Sequence, residues 1–113
     1  MPRPQLSITT GWQGAQARLS VGGEIDLLTA PALVEAANEA LDTSPTVLVL
    51  DLGQVTFCDS AGVAAMVKIY HLAAKLGTEL RVRDAGQMVR HVLEISGVDR
   101  VITVEEGRPA REG

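Results

Sequence analysis

The chain has 113 residues, 46% of them hydrophobic and 21% charged, with a formal net charge of −4. That size and balance suit one globular domain and exclude disordered, collagen-like and disulfide-dense classes. Ten basic against fourteen acidic side chains argue against a nucleic-acid partner, and three aromatics (Trp12, Phe57, Tyr70) are too few for a base-stacking platform.

Taken in order, Leu6 to Thr10 and Ala15 to Val21 alternate apolar and polar residues and predict two strands, with Gly11 to Gly14 as the hairpin turn. Trp12 at that tip is expected to cover the core. Gly22-Gly23 suggests a bulge or sharp redirection, and Glu24-Ile25-Asp26 is too short to assign. Thr29 is a candidate helix cap with Pro31 in the first turn, and Leu33, Val34, Ala37, Ala40 and Leu41 form a helical stripe ending before Pro45.

Thr46 to Leu52 is apolar on both parities, as expected of a strand covered on both faces. A second helix follows Ser60 and stops at Gly77, which suits a left-handed C-terminal residue. Glu79 to Arg83 predicts a strand. Gln87 to Ile95 predicts a third helix, with Val89, Val92, Leu93 and Ile95 apolar, ended by Gly97. Val101 to Val104 predicts a last strand, and Glu105 to Gly113 a loose polar tail. The order is β-β-α-β-α-β-α-β. It implies one α/β domain with a mixed, largely parallel sheet and helices packed against it.

No segment is long and apolar enough to span a bilayer, and Met1-Pro2-Arg3-Pro4 leads into no secretory segment. With Cys58 as the only cysteine, a reducing, cytoplasmic setting without a membrane partner is expected. Pro2 and Pro4 suggest an extended lead-in.

The informative stretch is Asp51 to Val63, where a buried strand hands over to a helix. In α/β sheets ligands and partners dock at such carboxyl edges. Ser60 stands where the helix N-cap is expected, and capping alone would account for it. Asp59 is equally explained as an acidic residue favoured by the helix dipole. At 100° per residue, Val63, Met66, Tyr70 and Ala73 point one way, toward the core. Ala61, Ala64, Ala65, Lys68, Leu72 and Lys75 point the other way. That second face is flat and apolar. It reads either as a shallow docking surface beside Ser60 or as alanine simply favouring helix.

The motifs Gly23-Glu24-Ile25-Asp26 with Thr29-Ala30, Asp51-Leu52, Val55-Thr56-Phe57, Asp59-Ser60-Ala61-Gly62 and Ser96-Gly97-Val98 resemble the STAS domain family (sulphate transporter and anti-sigma factor antagonist). The resemblance runs from about residue 6 to 104 and is to the free-standing bacterial anti-sigma factor antagonists. It implies that Ser60 is phosphorylated by an anti-sigma factor acting as a serine kinase. It also implies that the unphosphorylated protein binds that factor and frees a sigma factor, and that a metal-dependent serine phosphatase resets the switch. Asp26 matches the family's acidic residue that contacts the partner. The expected partner-binding set is therefore Asp26, Thr29, Asp59, Ser60, Ala61, Gly62, Ala64, Ala65 and Lys68. No catalytic residue, metal or cofactor is expected. The chain departs from the family pattern at Ala61, where many members have a second serine, and at Gly53-Gln54 and Cys58.

Other readings compete. The same fold could serve as an accessory subunit of a lipid-transport or stress-signalling complex. Cys58-Asp59-Ser60-Ala61-Gly62 half-matches a hydrolase elbow but has Cys where that turn wants Gly. His71 is eleven positions from Ser60 along the helix, roughly 16 Å away. His71 and His91 are expected at the surface. A phospho-receiver domain needs an acidic pair after its first strand and a lysine after its last, which Thr9-Thr10 and Val104-Glu105 do not supply. Asp51 then reads as a strand-end or turn residue, and Cys58 as a small buried apolar side chain.

Overall fold

A computed structural model describes residues 6–105. The lead-in around Pro2 and Pro4 and the tail from residue 106 lie outside the described residues. The elements are β1 (Leu6–Gln13), β2 (Gln16–Ile25), α1 (Ala30–Leu41), β3 (Val47–Cys58), α2 (Ser60–Lys75), β4 (Glu79–Arg83), α3 (Gln87–Ser96), a 3-10 turn (Val98–Arg100) and β5 (Thr103–Glu105). The five strands lie side by side in chain order. β1 and β2 pair antiparallel, and every later neighbour is parallel. Sequential order with right-handed crossovers places the three helices on one face of the sheet.

The core forms between that face and the helices. Ala17, Leu19 and Val21 of β2 join Leu48, Leu50 and Leu52 of β3, Leu80 and Val82 of β4, and the inward stripes of the helices. Val49 is buried, as expected of a strand covered on both faces, but helices supply the cover on one face only. It is 1% exposed yet lies on the helix-free side, between Arg18 and Arg81 in register. The stems of these arginines shield it while their charges stay wet. Ion pairs lace that outer face, including Arg18–Asp51 at 3.8 Å and Arg83–Glu105 at 3.5 Å.

Several boundaries move. β1 runs on through Trp12 to Gln13, and Gly14-Ala15 forms the turn, with Gly14 at φ +61°. Trp12 opposes the fully buried Ala17, yet half of its surface is exposed, so it does not seal the core. β2 absorbs Gly22-Gly23 as register shifts within the strand, with Gly23 at φ +105°, and continues to Ile25. β3 continues six residues past Leu52, so Asp51 sits inside a strand, its Oδ1 accepting from the Gly53 N–H at 3.0 Å. Glu105 belongs to β5 instead of the tail. Gly77 (φ +74°) and Gly97 (φ +82°) end α2 and α3 in the left-handed region, as expected.

Candidate functional site

The extra length of β2 and β3 builds the site. Their parallel pairing continues to Ile25 opposite Cys58, and the Asp59 N–H donates to the Ile25 carbonyl at 3.2 Å. Two motifs more than thirty residues apart therefore end side by side at the carboxyl edge. Asp26 follows one strand and Asp59 the other.

Each aspartate is tied into its own turn. The Oδ1 of Asp26 accepts from the Leu28 and Thr29 N–H groups at 2.9 and 3.1 Å, and its carbonyl receives the Ala30 N–H at 2.8 Å. Thr29 occupies the cap position of α1 but does not cap it through its side chain. Its hydroxyl donates to the Glu24 carbonyl at 2.7 Å and accepts from the Asp26 N–H at 2.9 Å. This stitch closes the β2–α1 loop and turns Leu27 and Leu28 outward, where they are 77% and 78% exposed.

Asp59, not Ser60, is the N-cap of α2. Its backbone is extended, and its Oδ1 accepts from the Ala61 and Gly62 N–H groups at 2.9 and 3.4 Å. Carboxylate and serine are both good caps, but only the residue still in strand geometry can turn its side chain back over the first turn. Ser60 is thereby the first helical residue. It is exposed, and its hydroxyl makes no hydrogen bond to another described residue.

Gly62 packs the first turn of α2 onto the sheet. A Cβ there would stand 2.5 Å from Cys58 Sγ and 2.8 Å from Ile25 Cγ2. Cys58 is 2% exposed, and burial, with a smaller contribution from Asp59, pushes its thiol up to about 11. It is an inert packing group.

Two apolar grooves flank the start of α2. One, of about 460 Å³, lies between α1 and α2 and is lined by Leu27, Ala30, Pro31, Val34, Ala61, Ala64, Ala65 and Lys68. The other, of about 370 Å³, lies between α2 and α3 and is lined by Ser60, Val63, Ala64, Val92, Ile95 and Ser96. The small alanines are what leave this room.

Of the residues expected at a docking surface, Ser60, Ala64 and Lys68 are exposed, and Asp26, Asp59 and Ala61 are half-buried. Thr29, Gly62 and Ala65 are buried and shape the site from beneath. Ala65 corrects the helical projection, since it is buried while Val63 and Tyr70 are only partly covered; Ile69, which the projection placed on neither face, is buried in the core. Sequence reasoning missed Leu27, Leu28, Pro31 and Val34, although two adjacent leucines in a loop are a visible signal. His71 and His91 are exposed, as expected, with His71 edge-on to Tyr70 at 5.4 Å between ring centroids.

The family profile described as "Mlab, STAS domain" matches residues 8–104. The chain belongs to the STAS domain family. The anti-sigma-F factor antagonist RsfB of Mycobacterium tuberculosis is 35% identical over 97 residues, covering 84% of this chain and 77% of the relative. The anti-sigma-B factor antagonist of Staphylococcus aureus is 26% identical over 102 residues, covering 90% and 94%. The crystal structure of an anti-sigma factor antagonist from Mycobacterium paratuberculosis superposes with a TM-score of 0.80 at 29% identity, covering 88% of this chain and 84% of that one. The five-stranded mixed sheet with three helices is thus the STAS fold. No helix among the described residues is long and apolar enough to cross a membrane.

Proposed function

We propose that this STAS domain is an anti-sigma factor antagonist switched by phosphorylation of Ser60. Unphosphorylated, it binds an anti-sigma factor that is also an ATP-dependent serine kinase, and a sigma factor is released. The names of its relatives support the partner class. The observation that carries the switch is the unengaged, exposed hydroxyl of Ser60, set at the first turn of α2 between two apolar grooves.

In the transfer step, Ser60 Oγ attacks the γ-phosphorus of ATP. The Oγ–P bond forms, the bond from the γ-phosphorus to the β–γ bridging oxygen breaks, ADP leaves, and the hydroxyl proton passes to a base of the kinase. A metal-dependent serine phosphatase reverses the state by hydrolysis, giving inorganic phosphate and the free hydroxyl. The antagonist itself performs no catalysis, and it works in the bacterial cytoplasm where ATP and sigma factors are.

The new phosphate brings about −1.5 to −2 charge at pH 7. The helix dipole favours it at the first turn of α2. The nearest backbone donors, however, are already held by Asp59. The dianion therefore stands beside a carboxylate and faces outward, so the fold survives while the partner meets repulsion and a desolvation cost. Reversing a 99:1 occupancy takes about 5.5 kcal/mol of differential affinity. Loss of a buried contact together with a charge stripped of water reaches that range.

Incubation with the cognate anti-sigma kinase and ATP, followed by mass spectrometry, tests the reading. Phosphate on Ser60, with loss of binding to the same factor, is the expected result. Equal affinity of both forms overturns it. A phosphate on Asp51 or Asp59 would indicate a receiver instead.

A further inference from the structure

We propose that the α2–α3 groove docks the same anti-sigma factor, seating an uncharged, apolar side chain of that partner, so that Ser60 lies inside the interface and not on its rim. The inference rests on the antagonist reading and adds α3 to it. Ile95, one of the apolar positions of α3, is 73% exposed. Projected at 100° per residue, the core residues Val89 and Leu93 of α3 share one direction. Met88, Val92 and Ile95 fall within about 60° of one another in a second direction, roughly 110° from the first. Met88 is 43% exposed and Val92 is partly buried. α3 therefore carries a second apolar stripe, which leaves Met88 and Ile95 exposed.

Val92 and Ile95 of that stripe face α2 across the groove lined by Ser60, Val63, Ala64, Val92, Ile95 and Ser96, none of them charged. Ala64 also lines the α1–α2 groove, so the two surfaces meet at the ridge beside Ser60. A specific interface takes about 800 Å² from each partner, a patch roughly 30 Å across. Packed helices lie about 8–10 Å apart. A partner centred on Ser60 thus reaches both α1 and α3. The α1–α2 groove ends in Lys68 and accepts an acidic neighbour, whereas the α2–α3 groove offers only apolar walls and two hydroxyls. Phosphate on Ser60 would stand in its mouth, where a seated apolar side chain leaves no water to solvate a dianion.

Calorimetric titration against purified anti-sigma factors of the source organism tests this, using wild type, Ile95→Lys and Leu76→Lys. Leu76 is exposed at the far end of α2, about 24 Å along the helix from Ser60, and serves as the control. Ile95→Lys should weaken binding at least tenfold while its melting curve matches wild type, and Leu76→Lys should bind within twofold of wild type. If wild type binds and Ile95→Lys binds equally well, the α3 contact is refuted and the antagonist reading stands. If wild type binds none of the factors, the antagonist reading itself fails, and the α3 contact fails with it.

Discussion

Replacing Gly62 by alanine measures how tightly the first turn of α2 is seated. The added Cβ would lie 2.5 Å from Cys58 Sγ, 2.8 Å from Ile25 Cγ2 and 3.2 Å from Ile25 Cβ. Both neighbours are buried and paired across the two central strands, so neither retreats without moving the sheet. Overpacking of this kind costs about 1–3 kcal/mol, against a helix-propensity gain of up to about 1 kcal/mol for alanine over glycine. A net loss of about 1–2 kcal/mol is expected, which in a domain of this size lowers Tm by roughly 4–9 °C. Urea and thermal unfolding followed by circular dichroism read the change. Adding Cys58→Ala removes the nearer clash, so the double variant should recover part of the loss, with a coupling of at least about 0.5 kcal/mol. A Gly62→Ala protein as stable as wild type would refute the reasoning, because α2 could then lift off Ile25 and Cys58 without cost, and nothing would hold Ser60 at the strand ends.

Thr29→Val keeps the side-chain shape but strips the Glu24 carbonyl and the Asp26 N–H of their shared partner, and should cost about 1–3 kcal/mol; an unchanged urea midpoint would contradict the stitch. Cys58 should react slowly with iodoacetamide. A thiol raised from 9.0 to about 11 has roughly a hundredfold less thiolate at pH 8, before burial adds its own barrier. The same shift sets a pH dependence. Below about pH 9 both states keep the proton and the full stability is present; between about 9 and 11 the unfolded chain loses its proton first, so stability falls as pH rises. The wild-type urea midpoint should therefore drop over that window more than that of Cys58→Ala. Ser60→Ala should fold normally and bind the anti-sigma factor constitutively. Ser60→Asp should weaken binding less than phosphate does, since it carries one charge and less bulk; tighter binding by Ser60→Asp would contradict the electrostatic account.

The element order and the parallel sheet were legible in the sequence because alternation in β2, the apolar run of β3 and the glycines after α2 and α3 report local burial and backbone geometry directly. That Ser60 stands at the start of a helix after a buried strand was legible from the motif around it. Its role within the helix was not: whether Asp59 or Ser60 caps α2 depends on where β3 stops, and β3 runs on because β2 stays paired with it to Ile25. Likewise Ala65, projected outward, and Ile69, placed on neither face, are both buried, since α2 packs against α1, α3 and the sheet at once and its buried arc is wider than one stripe. Ile95 satisfies the same periodic criterion as Leu93 but meets solvent, because only the angle at which α3 lies on the sheet selects which of its two apolar stripes is covered. A sequence encodes its hydrophobic period within each element. The register between distant strands and the tilt of neighbouring helices are settled by long-range packing, and here those two decisions bring Asp26, Asp59 and Ser60 to one edge and open a groove on either side.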